Sequence, residues 1–292
     1  MKLIIGNATP ALLLIFIFIF EIINSISAIC FPQNVKSSYQ WPHNNKPGET
    51  IKSRFLPPNG YTRIKVENGT FAHYLRNLSL FADDTPVKDY RGRITKSKKD
   101  STVAAVSDYP IKGKKLEQCM DILQRLWAEY LWSHHQFEKI SFYLPGGFLL
   151  KWHDWKNGLR PKFHGIKVTL LKSARSDSSR KNFEEYLWEI FYRSNTQTAY
   201  FAYPKIEKKN LQIGDFIVKK GKRGHAVLIL DLAIDDFGNK VVLIGHGDTP
   251  ACQFYLLNYK KDNPWFPLNQ AKNHLPLPIK KKMFWEGLRR FN

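Results

Sequence analysis

The feature that most limits the fold is a change of hydrophobic period along the chain. Leu116, Met120, Leu123, Trp127 and Tyr130 step by three and four residues, which places them on one face of a helix. Phe71, Tyr74, Leu75 and Leu78 repeat that spacing, as do Phe183, Leu187, Ile190 and Phe191. After Gly214-Asp215 the period shortens. Residues 216–218, 226–230, 241–244 and 254–257 are short runs rich in β-branched residues. Gly221-Lys222-Arg223-Gly224 and Asp235-Asp236-Phe237-Gly238-Asn239 supply turns between them. Val103–Val106 and 140–144, the latter ended by Pro145-Gly146-Gly147, read as earlier strands, and 91–101 as a basic loop. Helices ahead of an antiparallel sheet predict an α+β domain with N-terminal helices packed on a small sheet.

Residues 1–28 have the order of an export leader. Lys2 gives the basic start, Leu12 to Phe20 is unbroken and apolar, and Ser25-Ile26-Ser27-Ala28 offers small residues for a peptidase. A retained anchor is the other reading, although Glu21 interrupts a run shorter than the roughly 20 residues a spanning helix needs. Lipidation at Cys30 would require a small residue before it, and Ile29 stands there. Residues 29–53, with Pro32, Pro42 and Pro47-Gly48, read as a linker. Residues 54–292 then form a single globular domain, long enough for its own core.

The charge separates the remaining classes. Against 25 acidic residues stand 45 Lys and Arg, for a net charge of +20. Such a surface suits an anionic partner. Export and the absence of any nucleic-acid motif or aromatic ladder turn the expectation from nucleic acid to an anionic envelope polymer or peptidoglycan peptide. A simply solvated Lys-rich surface is the alternative. Membrane contact is expected only through an uncleaved leader, and the domain is expected to be a monomer. The three cysteines cannot make a disulfide framework. Cys119 and Cys252 either pair or leave a free thiol.

Cys119 lies near the start of its helix, where unpaired N–H groups and the dipole favour a thiolate. A nucleophilic cysteine also needs a base and a group to orient that base. His225 opens 226–230 after a glycine turn. His246 closes the next run, in Gly245-His246-Gly247-Asp248. If the two runs pair as a hairpin, both imidazoles stand at one sheet edge. Each residue also has a plainer reading: Cys119 as core beside Leu116, Met120 and Leu123, His225 as a turn cap, His246 as loop. Trp155, Gly158 and Arg160 line a groove, with Arg160 clamping a carboxylate, or form a packed turn. His134-His135 and His153-Asp154 lack metal-cage spacing and no Cys-x-x-Cys exists, so neither a metal nor another cofactor is expected.

Two resemblances add to this. Gly214-Asp215-Phe216-Ile217-Val218 followed by Gly224-His225-Ala226-Val227-Leu228-Ile229 resembles the Gly-Asp…Gly-His strand pair of the papain-like CHAP and NlpC/P60 amidases, and Gln118-Cys119 is similar to the pair that opens their helix. Their order of Cys, His and a polar third residue is repeated by Cys119, His225 and His246. In those families the nucleophile opens its helix, whereas the Leu116 periodicity carries Cys119 several residues inside. The chain from about Arg54 also resembles a bacterial family, the domain of unknown function numbered 4846. Leu116-Glu117-Gln118-Cys119, Trp155 to Arg160, the Gly-Asp…Gly-His block and Pro250-Ala251 carry that likeness. Together they imply an exported thiol hydrolase of the periplasm or cell envelope that cleaves an amide bond in cell-wall peptide. Cys119 is then the nucleophile, His225 the base and His246 its orienter, with Gln118, Trp155, Arg160 and Asp215 at the substrate. The competing expectation is a non-catalytic envelope-binding or structural protein on the same scaffold.

Overall fold

The computed structural model describes residues 49–111, 113–268 and 273–292. The expected leader, most of the expected linker and Cys30 lie outside the described residues. The last linker residues do not behave as a tether. Thr50 caps a helical turn, α1 (Ile51–Arg54), by exchanging hydrogen bonds with Ser53, and Ile51 is fully buried. The fold therefore begins a few residues before the expected Arg54 boundary.

Five more α-helices follow among the described residues: α2 (Phe71–Arg76), α3 (Cys119–Ser133), α4 (Trp152–Lys156), α5 (Arg180–Arg193) and α6 (Thr196–Ala202). The strands of the main sheet are β1 (Tyr61–Arg63), β2 (Val103–Val106), β3 (Phe216–Lys219), β4 (His225–Asp235), β5 (Lys240–His246), β6 (Tyr255–Leu257), β7 (Phe266–Pro267) and β8 (Leu288–Arg289). They form one eight-stranded sheet in the order β8-β3-β4-β5-β6-β2, with β1 on the far half of β4 and β7 at the start of β5. Every pairing is antiparallel. The class is α+β, as the period change predicts. The sheet is larger than the small one expected, because β1 and β2 reach it from the N-terminal half and β8 from the C-terminus.

β4 organises the sheet. Its first half pairs with β3, its second half with β1, and the register against β5 slips between Ile229 and Asp231. Such a bulge bends a strand and increases its twist, which lets one long strand serve two neighbours. Residues 226–230 are fully buried, so this run is apolar on both faces rather than alternating. α3 packs against β4. That helix carries more than one buried face, since Cys119, Met120, Ile122, Leu123, Gln124, Arg125, Leu126, Ala128 and Glu129 are all inside.

Several of the charges taken inside by this packing are paired. The Arg125 guanidinium donates to Glu117 and, at 2.6 Å, to the Pro110 carbonyl. Arg180 grips Glu129 with two nitrogens. At the bulge, Asp231 accepts from Arg63 Nε and Arg76 Nε, both at 2.6 Å, and is itself fully buried. Outside the main sheet, Leu159–His164 and Lys167–Lys172 form a hairpin.

Candidate functional site

The Cys119 sulfur stands at the first position of α3, with Gln118 as the N-cap. The Leu116 periodicity suggested a position deeper in the helix. Leu116 and Glu117 instead precede it, their backbone closing a turn in which Gln118 N–H donates to the Leu116 carbonyl at 2.8 Å. The Asp121 carboxylate, three residues on, accepts the Gln118 N–H at 2.9 Å and fixes the start of the helix. Cys119 thus opens its helix and faces the sheet edge where β4 begins. The backbone N–H groups of Ala226 and Met120 both point at its sulfur.

His225 is the first residue of β4 and His246 the last of β5. Leu228 lies opposite Gly245, so the antiparallel register brings the two imidazoles to one edge. His225 Nε2 and His246 Nδ1 are 2.8 Å apart, with the rings nearly perpendicular at 82°. His246 is further held against Tyr255, with ring centroids 4.4 Å apart. His225 Nδ1 and His246 Nε2 are buried without a hydrogen-bond partner among the described residues. The close packing around His225 depends on Gly224: a Cβ there would lie 2.0 Å from Thr196 Oγ1 and 2.7 Å from the Lys219 carbonyl oxygen.

Burial sets the electrostatics. It holds His225 down to about 4, helped by Lys281 and opposed by Asp248. It drives His246 well below the ordinary imidazole value, with His225 next in effect. Burial also pushes the Cys119 thiol up to about 11, with Asp121 adding to the shift and the two N–H donors opposing it. A thiol lowered by the helix dipole is what the sequence position suggests. Here Cys119 is only 5% exposed, and loss of water outweighs the dipole. At rest Cys119 is therefore a neutral thiol, and the histidine pair is neutral. Cys252 is a free thiol as well, not a partner for Cys119, and its sulfur accepts from Asp248 N–H at 3.3 Å.

Cys119 opens onto a cleft of about 1070 Å³ between the start of α3, the start of α6, the β3–β4 turn and Lys281. Of the four residues expected at the substrate, only Gln118 lines it. Its Oε1 accepts from Thr249 Oγ1 at 2.9 Å, tying the helix start to the loop after β5. Trp155 is buried, donating from Nε1 to Asn182 Oδ1 at 2.9 Å, and Arg160 stacks over it at 3.8 Å. The Arg160 guanidinium donates to the Trp155 carbonyl and to Asn182 Oδ1, so its hydrogen bonds go to the fold. Asp215 accepts from Arg290 at 2.6 and 2.9 Å, anchoring the C-terminal segment. None of these three reaches the cleft.

Two residues near the sulfur went unread. Lys281 lines the cleft and pairs with Asp248 at 3.4 Å. Within Lys280-Lys281-Lys282 it has the look of ordinary surface charge, and no spacing links it to Cys119. Asp121 lines the cleft too, and burial raises its carboxyl well above the usual carboxylate range. Among the described residues no group of three or more His, Cys, Asp or Glu side chains is placed to hold a metal. No helix among them is long and apolar enough to cross a membrane.

A family model described as a domain of unknown function (4846) matches residues 51–284. No curated protein and no solved structure matches the chain significantly.

Proposed function

The chain belongs to that family of unknown function, and from the site we propose that it is a papain-like thiol hydrolase that cleaves an amide bond in cell-wall peptide. The observation that carries this reading is the arrangement of Cys119, His225 and His246. A cysteine opens a buried helix, the adjacent strand starts with a histidine, and a second histidine bonds the far nitrogen of the first at 2.8 Å. The leader-like order of residues 1–28 supports action outside the cytoplasm, in the periplasm or cell envelope of a bacterium.

The tautomers follow from the bonding. For His225 Nδ1 to accept a proton, its Nε2 must carry one and donate it to His246 Nδ1, which leaves the His246 proton on Nε2. His225 Nδ1 takes the proton from the Cys119 thiol as the sulfur attacks the carbonyl carbon. The oxyanion that forms is met by backbone N–H groups at the start of α3, with Gln118 at the rim. His225 then gives its proton to the leaving amine as the carbon–nitrogen bond breaks, leaving a thioester on Cys119. A water molecule, deprotonated by His225, attacks that thioester and releases the acid and the thiol. His246 stabilises the imidazolium through the Nε2–H bond.

Hydrolysis of purified peptidoglycan fragments tests this. Cys119→Ser and His225→Ala should each lower the rate by several orders of magnitude, with little further loss when combined, because nucleophile and base act as one unit. His246→Ala should retain part of the activity. A serine variant as fast as wild type would end the proposal. The raised thiol favours a second reading, a non-catalytic envelope-binding module on the same scaffold. That module would show retention on envelope material with no Cys119-dependent hydrolysis.

A further inference from the structure

The walls of the cleft are chemically uneven. On one side the β3–β4 turn presents Lys222 and Arg223, both exposed, and neither forms an ion pair among the described residues. Lys281 lines the same cleft, partly offset by Asp248. Asp121 is the acidic residue among the lining groups, and burial raises its carboxyl, so it offsets little of that charge. The lips are apolar. Ile166, at the tip of the 159–172 hairpin, is 80% exposed, and Phe201 on α6 is 67% exposed. Lys220 Nζ sits 4.6 Å over the Phe201 ring, which adds a cation beside that lip.

These lips are built in rather than incidental. Ile166 reaches the cleft because the hairpin tip lies against Pro145-Gly146-Gly147. Gly146 has φ of 82°, and a Cβ on it would lie 2.4 Å from the Ile166 carbonyl oxygen. Thus the close approach requires glycine. The cleft, at about 1070 Å³, also reaches the top of the span of roughly 300–1,000 Å³ typical of small-ligand pockets. A chain fits it better than a single small molecule.

We propose that the cleft binds an extended acidic peptide, with a carboxylate on Lys222 and Arg223 and an aliphatic side chain under Ile166 and Phe201. One chain lying along the cleft can then set an acidic residue on the basic turn and an aliphatic residue against the apolar lips. The assignment takes this cleft as the substrate site of the proposed amidase and adds the class of peptide it accepts. It concerns binding, so it can be read without turnover.

The experiment uses the full chain carrying Cys119→Ala and rhodamine-labelled Ala-Leu-Glu-Ala-Ala, its Gln counterpart and its Ser-for-Leu counterpart, followed by fluorescence anisotropy. The Glu peptide should bind about 5- to 10-fold more tightly than the Gln peptide, the scale of one or two partly exposed ion pairs. Adding Lys222→Glu and Arg223→Glu should remove that preference. Adding Lys98→Glu and Lys99→Glu, the same change in net charge away from the cleft, should leave it. Ile166→Ser with Phe201→Ser should erase the advantage of the Leu peptide over the Ser peptide. If the two pairs of charge reversals act equally, the preference reflects only the overall charge of the chain and the proposal fails. It fails as well if no peptide binds, or if only a polyanion such as dextran sulfate does. Acid-selective binding by a wild-type chain that cleaves nothing would uphold this inference and overturn the amidase reading.

Discussion

The neutral thiol makes a quantitative prediction about Cys119 reactivity. With burial pushing it up to about 11, roughly one Cys119 in ten thousand is a thiolate at pH 7. An unperturbed cysteine, with a pKa of about 8.5, is about 3% ionised at the same pH. On thiolate fraction alone, Cys119 should react with iodoacetamide about 300-fold more slowly than a free cysteine. Its 5% exposure slows it further. The rate should also rise about tenfold per pH unit from pH 7 to 9, because each unit multiplies the thiolate by ten. Peptide mapping by mass spectrometry follows Cys119 separately from Cys252 and Cys30. His225, held down to about 4, is neutral over that whole range and adds no inflection. By the same argument the free-enzyme pH profile of kcat/KM should rise near pH 4 and stay flat to pH 9. Fast alkylation that is flat between pH 6 and 9 would refute the reasoning, since it would mean a resting thiolate–imidazolium pair.

Two further outcomes follow from buried charge. His225 is depressed in the fold relative to an unfolded value of about 6.5, so its contribution to stability is present above pH 6.5 and lost as pH falls toward 4; the change, from His225 alone, is about 3 kcal/mol. Urea unfolding at a series of pH values should show that fall, and His225→Phe should flatten it; an equal fall in the variant would point to other groups. Asp231→Asn should cost about 3–5 kcal/mol, because Arg63 and Arg76 would keep their buried charges without a carboxylate; a loss below about 1 kcal/mol in the same assay would show that these arginines rehydrate.

Much of the scaffold was legible because its signals are local. The periodicity of Phe183, Leu187, Ile190 and Phe191 is realised in α5, and the two glycine-bounded turns join β3 to β4 and β4 to β5. The shared edge of His225 and His246 followed from hairpin logic and holds in the register. The start of α3 did not, because Leu116 continues the apolar spacing although the backbone turns at Gln118; a capping interaction of Asp121 on Gln118 decides it, and neither residue is a strong start signal in sequence. The first strand of the sheet was missed for a different reason. β1 is three residues long, half-exposed, and finds its partner about 170 residues away. Trp155 and Arg160 looked like a groove because stacked aromatic and guanidinium groups serve binding and packing equally; only Asn182 and the carbonyl partners show which applies.

The electrostatics around the sulfur carry a consequence for the order of events in the proposed reaction. Lys281 lowers the Cys119 thiol, favouring its thiolate, yet it also lowers His225 and His246, opposing the imidazolium. A single cation therefore cannot stabilise the separated pair as a whole. Asp248 acts on His225 in the opposite sense, and at 3.4 Å it also holds Lys281. Proton transfer before attack would place two new charges in a site from which water is excluded, where an ion loses most of its hydration. If transfer accompanies attack, the negative charge moves on to the carbonyl oxygen. There the N–H groups at the start of α3 can meet it. A buried, neutral nucleophile is thus compatible with catalysis when substrate itself supplies the acceptor for the charge, and the same burial keeps the thiol unreactive toward other electrophiles while the cleft is empty.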